Sequence, residues 1–364
     1  MILDPFCGSG TTLVEGLLHS HDSIGVEIDP LASLISKVKT TPLREEEIFL
    51  CVEEIKKEIK SNKKGEFAPK IKNLYHWFSK DAVNQLGIIR DCIEEYSDRK
   101  DLYDFLIVTF SSVIRKASNA DDQSQKTYVS HTQKKTPKPA IPLFLNNLEK
   151  YAGRISELCQ QVDSKYKARV FTSDSRNITE IWRKKDLPLV DLVVTSPPYI
   201  KAVDYIYTQM AEYFWVGDLF DLETQKKQNE YKTRYIGTKQ VRAREYQSVP
   251  VMNIKEIDEL ISKIEKRNRK HAYIAAKFFK DMEHHFREVK NILKKGRHYI
   301  LVIGNNNVSG YTVPSHKFLI KCAERAGFIY VNYFGYEIRN RYMRFPRGGR
   351  GGIIKEDWII DLKN

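Results

Sequence analysis

Two short stretches of the chain carry residue types suited to chemistry on a bound small molecule. In the first, the apolar Met1-Ile2-Leu3 runs into Asp4-Pro5-Phe6-Cys7-Gly8-Ser9-Gly10-Thr11-Thr12 and then into an apolar-periodic segment over residues 13–18. Gly8 and Gly10 permit a tight turn and close approach of a ligand to the backbone, while the free N–H groups of a following helix favour an anionic group. Glu27 lies about 20 residues beyond the loop, the separation at which a carboxylate can accept hydrogen bonds from ribose hydroxyls, and Asp29 competes for that part. Leu13 occupies the position where a third glycine would complete a G-x-G-x-x-G register. That weakens a dinucleotide reading, in which the glycine lets the helix pack close beneath a pyrophosphate. A glycine loop with an acid at this distance fits an adenosine ligand; the plain alternative is an ordinary turn followed by a surface acid.

The second stretch, Asp191-Leu192-Val193-Val194-Thr195-Ser196-Pro197-Pro198-Tyr199, is an apolar strand pattern that stops at two prolines and an aromatic ring. Consecutive prolines cannot continue a central strand, since each removes a donor and restricts its backbone, and they hold a rigid turn instead. An amino group conjugated to a base is a poor nucleophile because its lone pair is delocalised into the ring. Acceptors that polarise its N–H bonds and hold it in line with an electrophile promote its reaction, and the Ser196 hydroxyl and Pro197 carbonyl are of that type. The Tyr199 ring offers a face on which a base drawn out of a duplex could stack. The plain alternative here is a proline-terminated strand with a core tyrosine.

The elements that must position these groups read as an open α/β sheet. Strand, glycine loop and helix are followed by a second strand at 23–28 and a helix at 31–37, the start of a parallel sheet. Residues 43–162 change to helical periodicity, seen at Ile48, Val52, Ile55 and Ile59 and in the segments 83–96, 102–114 and 143–159. Within them, residues 117–142 are polar, basic and proline-containing, with Lys134, Lys135 and Lys138, and read as a long exposed loop. Strand patterns resume at 168–172, 189–195, 299–304, 328–333 and 353–362, with a basic stretch at 226–244 and one long helical pattern at 254–293 before the third of these. The expectation is a doubly wound, mostly parallel sheet formed by residues 1–41 and 166–364, interrupted by a helical insertion at 42–165.

Composition narrows the setting. With 364 residues the chain can bury a sizeable core, and 60 Lys and Arg against 47 Asp and Glu leave a formal charge of +13, which suits a polyanionic partner. Cys7, Cys51, Cys92, Cys159 and Cys322 are scattered without a C-x-x-C pair, so neither a zinc site nor a disulfide framework is suggested and no metal is expected. No apolar run is long enough to span a membrane and no signal peptide is evident, so a soluble cytoplasmic protein is expected.

Residues 4–12 resemble the cofactor-binding motif of amino-group DNA methyltransferases, and Thr195-Ser196-Pro197-Pro198-Tyr199 resembles the catalytic motif of the same family. The likeness covers the sheet-forming parts of the chain and implies a seven-stranded Rossmann-like methyltransferase fold with S-adenosylmethionine as methyl donor. It implies donor contacts at Asp4, Phe6, Gly8, Ser9, Gly10, Thr11, Glu27 and Asp174, and chemistry on a flipped base at Ser196, Pro197, Pro198 and Tyr199. Serine at the first catalytic-motif position is typical of cytosine-N4 enzymes, as are the flanking residues 201–205 and Tyr213-Phe214-Trp215. Adenine N6, guanine N2 in RNA and a non-catalytic DNA-binding subunit remain the rival readings. Direct transfer to nitrogen needs no cysteine nucleophile, and the Pro-Cys pair typical of cytosine-C5 enzymes is absent, so Cys7 is read as a packing residue.

Double-stranded DNA is the expected partner. Its contacts are expected from 226–244, where Tyr231 and Tyr235 alternate with Arg234, Lys239, Arg242 and Arg244, and from Arg339, Arg341 and the loop 344–352. Asn305 and Asn306 are further candidates for the target pocket, and sequence specificity is expected in the insertion or the basic stretch. The family also carries a segment that closes over the methionine end of the donor, often placed before the cofactor motif. The chain begins three residues before that motif. Three readings stand side by side: the frame is truncated, a separate polypeptide supplies the segment, or the protein has lost catalysis and serves as a binding subunit; a cognate restriction endonuclease is the alternative partner to that polypeptide.

Overall fold

The computed structural model describes residues 1–122, 127–132, 134–201, 204–338 and 356–364. Strand β1 (Ile2–Asp4) passes through the glycine loop into helix α1 (Thr11–Leu18), and β2 (Ser23–Glu27) passes through Asp29 into α2 (Pro30–Thr40). The insertion supplies α3 (Glu45–Ser61), α4 (Leu74–Trp77), α5 (Lys80–Glu94), α6 (Lys100–Ala117) and α7 (Ala140–Gln161). Then follow β3 (Ala168–Thr172), α8 (Ile178–Lys185) and β4 (Val190–Thr195), with α9 (Tyr205–Thr208), α10 (Met210–Val216) and α11 (Gln225–Tyr231) after the proline turn. Helices α12 (Lys255–Arg267) and α13 (Arg269–Lys290) lead to β5 (Leu293–Gly304), the hairpin β6 (Asn306–Val308) and β7 (Tyr311–Val313), helix α14 (Ser315–Arg325), β8 (Ile329–Glu337) and β9 (Glu356–Lys363).

The seven strands of the main sheet lie in the order β3-β2-β1-β4-β5-β9-β8. All the pairings from β3 across to β5 are parallel, and β9 alone runs antiparallel to its neighbours. This is the mostly parallel Rossmann-like methyltransferase sheet anticipated from the motifs. The strand order turns back between β1 and β4, where Leu3 pairs with Val193, and open sheets bind ligands at such a reversal, beyond the carboxyl ends of the strands. The glycine loop leaves β1 and the Ser-Pro-Pro-Tyr turn leaves β4, so two segments far apart in the chain meet there.

Two apolar cores hold the sheet and its helices. One joins Leu3, Val193, Tyr299 and Leu301 of the sheet to α8, α13 and α14. The other joins Leu31 and Val38 of α2 to α3, α5, α6 and α7, and takes in Ile206, Tyr213 and Trp215 from beyond the proline turn. Trp215 is fully buried, with Phe78 and Phe110 edge-on to its ring. The insertion therefore packs as one body with the segment that follows the second motif. No helix among the described residues is long and apolar enough to cross a membrane.

Three departures from the sequence reading have physical causes. The single helical pattern at 254–293 is two helices, because Asn268 adopts φ −160° and its side chain accepts the His271 N–H at 2.9 Å, capping α13. The 117–142 segment is not simply exposed: Ser118, Ala120 and Thr127 have no exposure, and Lys135 Nζ donates to the carbonyls of Arg115 (2.7 Å) and Ala120 (3.1 Å) and to Asp122 (2.8 Å). Lys135 thus satisfies backbone carbonyls, and Thr127 Oγ1 donates to the Thr208 carbonyl at 2.6 Å, which fastens the loop behind α9. Lastly, Asn305 and Asn306 hold the β6–β7 hairpin against α14, through His316 Nδ1 (2.8 Å) and the Ser315 hydroxyl (3.3 Å) respectively. Their side chains are engaged in anchoring that turn and do not line the cleft described next.

Candidate active site

The glycine loop closes through a hydrogen bond from Gly10 N–H to the Cys7 carbonyl at 2.8 Å. Gly10 has φ +86° at the N-cap of α1, and a Cβ there would come within 2.7 Å of Ser36 Oγ, so the position requires glycine twice over. Gly8 has φ +51° and open space where a Cβ would lie, and its carbonyl accepts the Ser36 hydroxyl at 2.9 Å. Asp4 sits behind the loop, buried, accepting Phe6 N–H (3.1 Å) and the Thr195 hydroxyl (2.6 Å). Burial raises its pKa against those hydrogen bonds. One carboxylate thus ties the glycine loop to the residue before Ser196. Cys7 is buried with its thiol 3.7 Å from Ser36 Oγ, and burial pushes the thiol pKa up, so it packs as an inert side chain.

Glu27 and Asp29 part company in the fold. Asp29 is 2 % exposed and accepts Ala32 N–H (2.9 Å), the Tyr213 hydroxyl (3.0 Å) and the Tyr235 hydroxyl (2.8 Å), which caps α2 and pins two elements to it. Glu27 accepts one N–H on each oxygen, from Gly8 and from Asp29, both at 2.8 Å. Each of its oxygens keeps a lone pair for a further donor. Burial pushes its pKa up to about 7, opposed by the two N–H donors and helped by the charges of Asp29 and Asp4. Asp174 is gripped by Arg176, whose Nε lies 3.0 Å from one oxygen and 3.1 Å from the other. Burial would raise the Asp174 carboxyl, but the Arg176 hydrogen bonds and charge outweigh it and hold the pKa below its usual value.

These groups open onto one cleft of about 490 Å³, within the usual range of small-molecule sites. Phe6, Gly8, Ser9, Glu27 and Asp174 line it from the first set of expected residues, and Ser196, Pro197, Pro198 and Tyr199 from the second. Asp4, Gly10 and Thr11 support the loop from outside that lining. Ser196 is exposed to the cleft, Pro197 is buried, and the half-buried Tyr199 reaches Asp357 of β9 at 3.3 Å. Burial, with the Asp357 charge, pushes the Tyr199 phenol to about 12, so it keeps its proton at neutral pH.

The basic stretch divides by residue type. Tyr235 is buried and Tyr231 half-buried, their hydroxyls reaching Asp29 at 2.8 Å and the Ile28 carbonyl at 2.5 Å, so Tyr235 is not part of the surface on which the two were expected to alternate with cations. A phenol can place its hydroxyl on a buried acceptor while its ring fills the core, which alternation with cations does not reveal. Arg234, Lys239, Arg242 and Arg244 are exposed, and Arg234 also borders the cleft, 4.9 Å over the Tyr231 ring. Arg339, Arg341 and the 344–352 loop lie outside the described residues. The cleft further contains Tyr205, Gln209 and Ile236, of which Gln209 carried no signal in the sequence beyond its place after the proline turn.

Along its whole length the chain is similar to a Type II methyltransferase. That protein, M.MvaI of Kocuria varians, is 25 % identical over 396 residues, a match covering 100 % of this chain and 84 % of the relative. No family model matches the chain. The whole-length likeness and the sheet order together support a place among DNA methyltransferases. The cleft suits the methyl donor of such enzymes: Gly8 leaves room against its backbone, and the Glu27 carboxylate faces the cleft with lone pairs for a ribose diol.

Proposed function

We propose that this protein is an S-adenosylmethionine-dependent DNA methyltransferase that modifies the exocyclic N4 of cytosine in a flipped base. The observation that carries the reading is the single cleft shared by Gly8, Glu27 and Asp174 on one side and Ser196 to Tyr199 on the other, at the strand-order reversal. The Asp4 to Thr195 hydrogen bond fixes the two halves relative to each other, and such fixed alignment lowers the barrier to a transfer between two bound partners.

S-adenosylmethionine, when bound, supplies an electrophilic methyl group on a sulfonium. Glu27 would accept from the ribose hydroxyls, Asp174 from the adenine amino group, and the Gly8 and Ser9 backbone would border the chain between them. The Ser196 hydroxyl and Pro197 carbonyl would accept the two N–H bonds of the target amine, raising electron density on its nitrogen and fixing its direction. Tyr199, anchored at Asp357, would stack the base and exclude water from one face. Cys7 takes no part. Serine rather than an acidic or amide residue at 196 favours cytosine N4 over adenine N6.

Double-stranded DNA would be held by Arg234, Lys239, Arg242 and Arg244, with sequence reading in the insertion, as the modification half of a restriction-modification system. The direct test is transfer of labelled methyl from S-adenosylmethionine to mixed-sequence duplex DNA with nucleoside mass spectrometry. N4-methylcytosine is expected; N6-methyladenine would reassign the base, and no methylated nucleoside in DNA would overturn the reading. Ser196→Ala combined with Tyr199→Ala should abolish transfer while leaving donor affinity, measured by calorimetry, nearly unchanged. Loss of donor binding in that variant would contradict the division of the cleft into donor and target halves.

A further inference from the structure

Strand β8 (Ile329–Glu337) ends the main sheet. It pairs with β9 along one side, and among the described residues no backbone hydrogen bond reaches its other side. A row of unpaired N–H and C=O groups is a template for a further strand, and proteins usually guard such an edge with lysine, proline or an inward-pointing charge. From Ile329 to Tyr336 this strand has no charged residue and no proline, in a chain whose formal charge is +13. Its side chains are open as well: Ile329 is 63 % exposed, Phe334 56 %, and Val331 and Tyr336 46 % each. The pairing with β9 sorts them, since Ile329, Phe334 and Tyr336 stand opposite Lys363, Ile359 and Asp357 on one face, while Tyr333 packs on the other against His316 and Trp358. A register irregularity between Tyr330 and Asn332 leaves residues 332–337 as the regular part of the edge.

The chemistry of the strand selects its occupant. An acidic partner, a nucleic acid included, finds no cation on it, and a basic partner meets only Glu337 at its end. An identical strand, run antiparallel, opposes no like charges. Paired about Phe334, the two strands set Phe334 against Phe334 and Tyr336 against Asn332, with Glu337 opposite Val331 at the irregularity. Aromatic cross-strand pairs of this kind stabilise a ladder. Main-chain hydrogen bonds supply much of the affinity in strand addition. Ile329, Val331, Phe334 and Tyr336 leave roughly 400 Å² open in each copy, about half of the ~800 Å² that a standard interface buries per partner, so the pair is reversible rather than permanent.

We propose that two copies of this chain associate through β8, paired antiparallel about a two-fold axis at Phe334, so that their sheets join edge to edge. Such an interface is isologous, the same surface serving on both sides. β8 runs parallel to β1, β4 and β5, so the two-fold axis reverses every strand of the second copy and the two clefts open at opposite edges of the joined sheet. The interface also adjoins each cleft: Tyr336 donates to Asp357 at 3.5 Å, the carboxylate that accepts the Tyr199 hydroxyl at 3.3 Å. Repulsion between two basic molecules acts at longer range and is screened by salt, so the association tightens as salt rises.

Sedimentation equilibrium of the full chain, from about 1 to 100 μM and at two salt concentrations, reads the association directly. A reversible dimer that tightens with salt is expected. Phe334→Lys should weaken it at least about tenfold, because the two-fold axis brings the two introduced ammonium groups together. Leu50→Lys, at an exposed apolar position on α3, should leave it unchanged. Phe334→Cys supplies a second check: oxidation should link two copies through a disulfide, whereas the unaltered protein, whose thiols are buried or half-buried, should stay unlinked. Thermal unfolding checks that each variant is folded. A monomer at every concentration would overturn the proposal and leave the edge to a strand of another polypeptide. A dimer that Leu50→Lys weakens equally, that survives Phe334→Lys, that salt dissociates, or that Phe334→Cys does not link would overturn it too.

Discussion

Glu27 and Asp29 stand two positions apart and share a chemistry, yet the fold sends one to the cleft and the other to the end of α2. The difference is set by what each meets: two tyrosine hydroxyls and a helix N-terminus for Asp29, two loop N–H groups and an open wall for Glu27. Because burial raises Glu27 from 4.5 to about 7, the folded state holds its proton more tightly than the unfolded chain does. Its contribution to stability is therefore fully present below pH 4.5 and is lost as pH rises through about 7. Donor binding runs the other way, since ribose hydroxyls donate best to the carboxylate. Donor affinity should be up to about tenfold weaker one unit below that pKa than one unit above it. Glu27→Gln should abolish this step and lower affinity on the alkaline side, as calorimetry across pH would read. An identical pH profile in the variant would shift the ribose contact away from Glu27.

At the scale of elements, most of what positions the site was legible. β3 matches its sequence pattern residue for residue, because the short run through Val170, Phe171 and Thr172 stops at the turn residues Ser173 and Asp174, and α2 begins where Asp29-Pro30 offers a cap and a first-turn proline. The break at Asn268 left a trace, since no apolar residue occurs from Glu265 to His271, but only the backbone geometry shows the Asn268 side chain capping α13. The seat of the glycine loop was hidden too. A Cβ on Gly25 of β2 would come within 2.7 Å of both Cys7 Sγ and Leu13 Cδ1, so β2 must lack a side chain for the loop and α1 to settle on it. Gly25→Ala should destabilise the protein by about 1–3 kcal/mol in urea unfolding and weaken donor binding through the displaced loop. An unchanged midpoint would mean that the loop accommodates a methyl group by shifting.

The molecule as a whole carries a formal charge of +13, and the structure exposes part of it beside the cleft. If Arg234, Lys239, Arg242 and Arg244 each neutralise a phosphate, replacing all four by alanine should reduce the slope of log binding constant against log salt by about 3 to 4. A variant with alanine at Lys239, Arg242 and Arg244 alone, none of which lines the cleft, should keep its donor affinity. A slope that stays the same would place the phosphate contacts elsewhere on the surface. The second core acts at this scale as well, since it joins the insertion to Ile206, Tyr213 and Trp215 beyond the proline turn. Any movement of the insertion on DNA would reach the target half of the cleft through that packing and through the Thr127 to Thr208 hydrogen bond.

The sequence by itself determined the kinds of element, the order of strand, loop and helix, and the two motifs, because these depend on local backbone preferences and on side chains close together in the chain. Only the tertiary structure decided that β1 and β4 lie side by side, that Asp4 binds Thr195, that the Tyr231 and Tyr235 hydroxyls reach the Ile28 carbonyl and Asp29, and that Gln209 comes to line the cleft. Those facts depend on which distant surfaces exclude water together, and no local pattern encodes that choice.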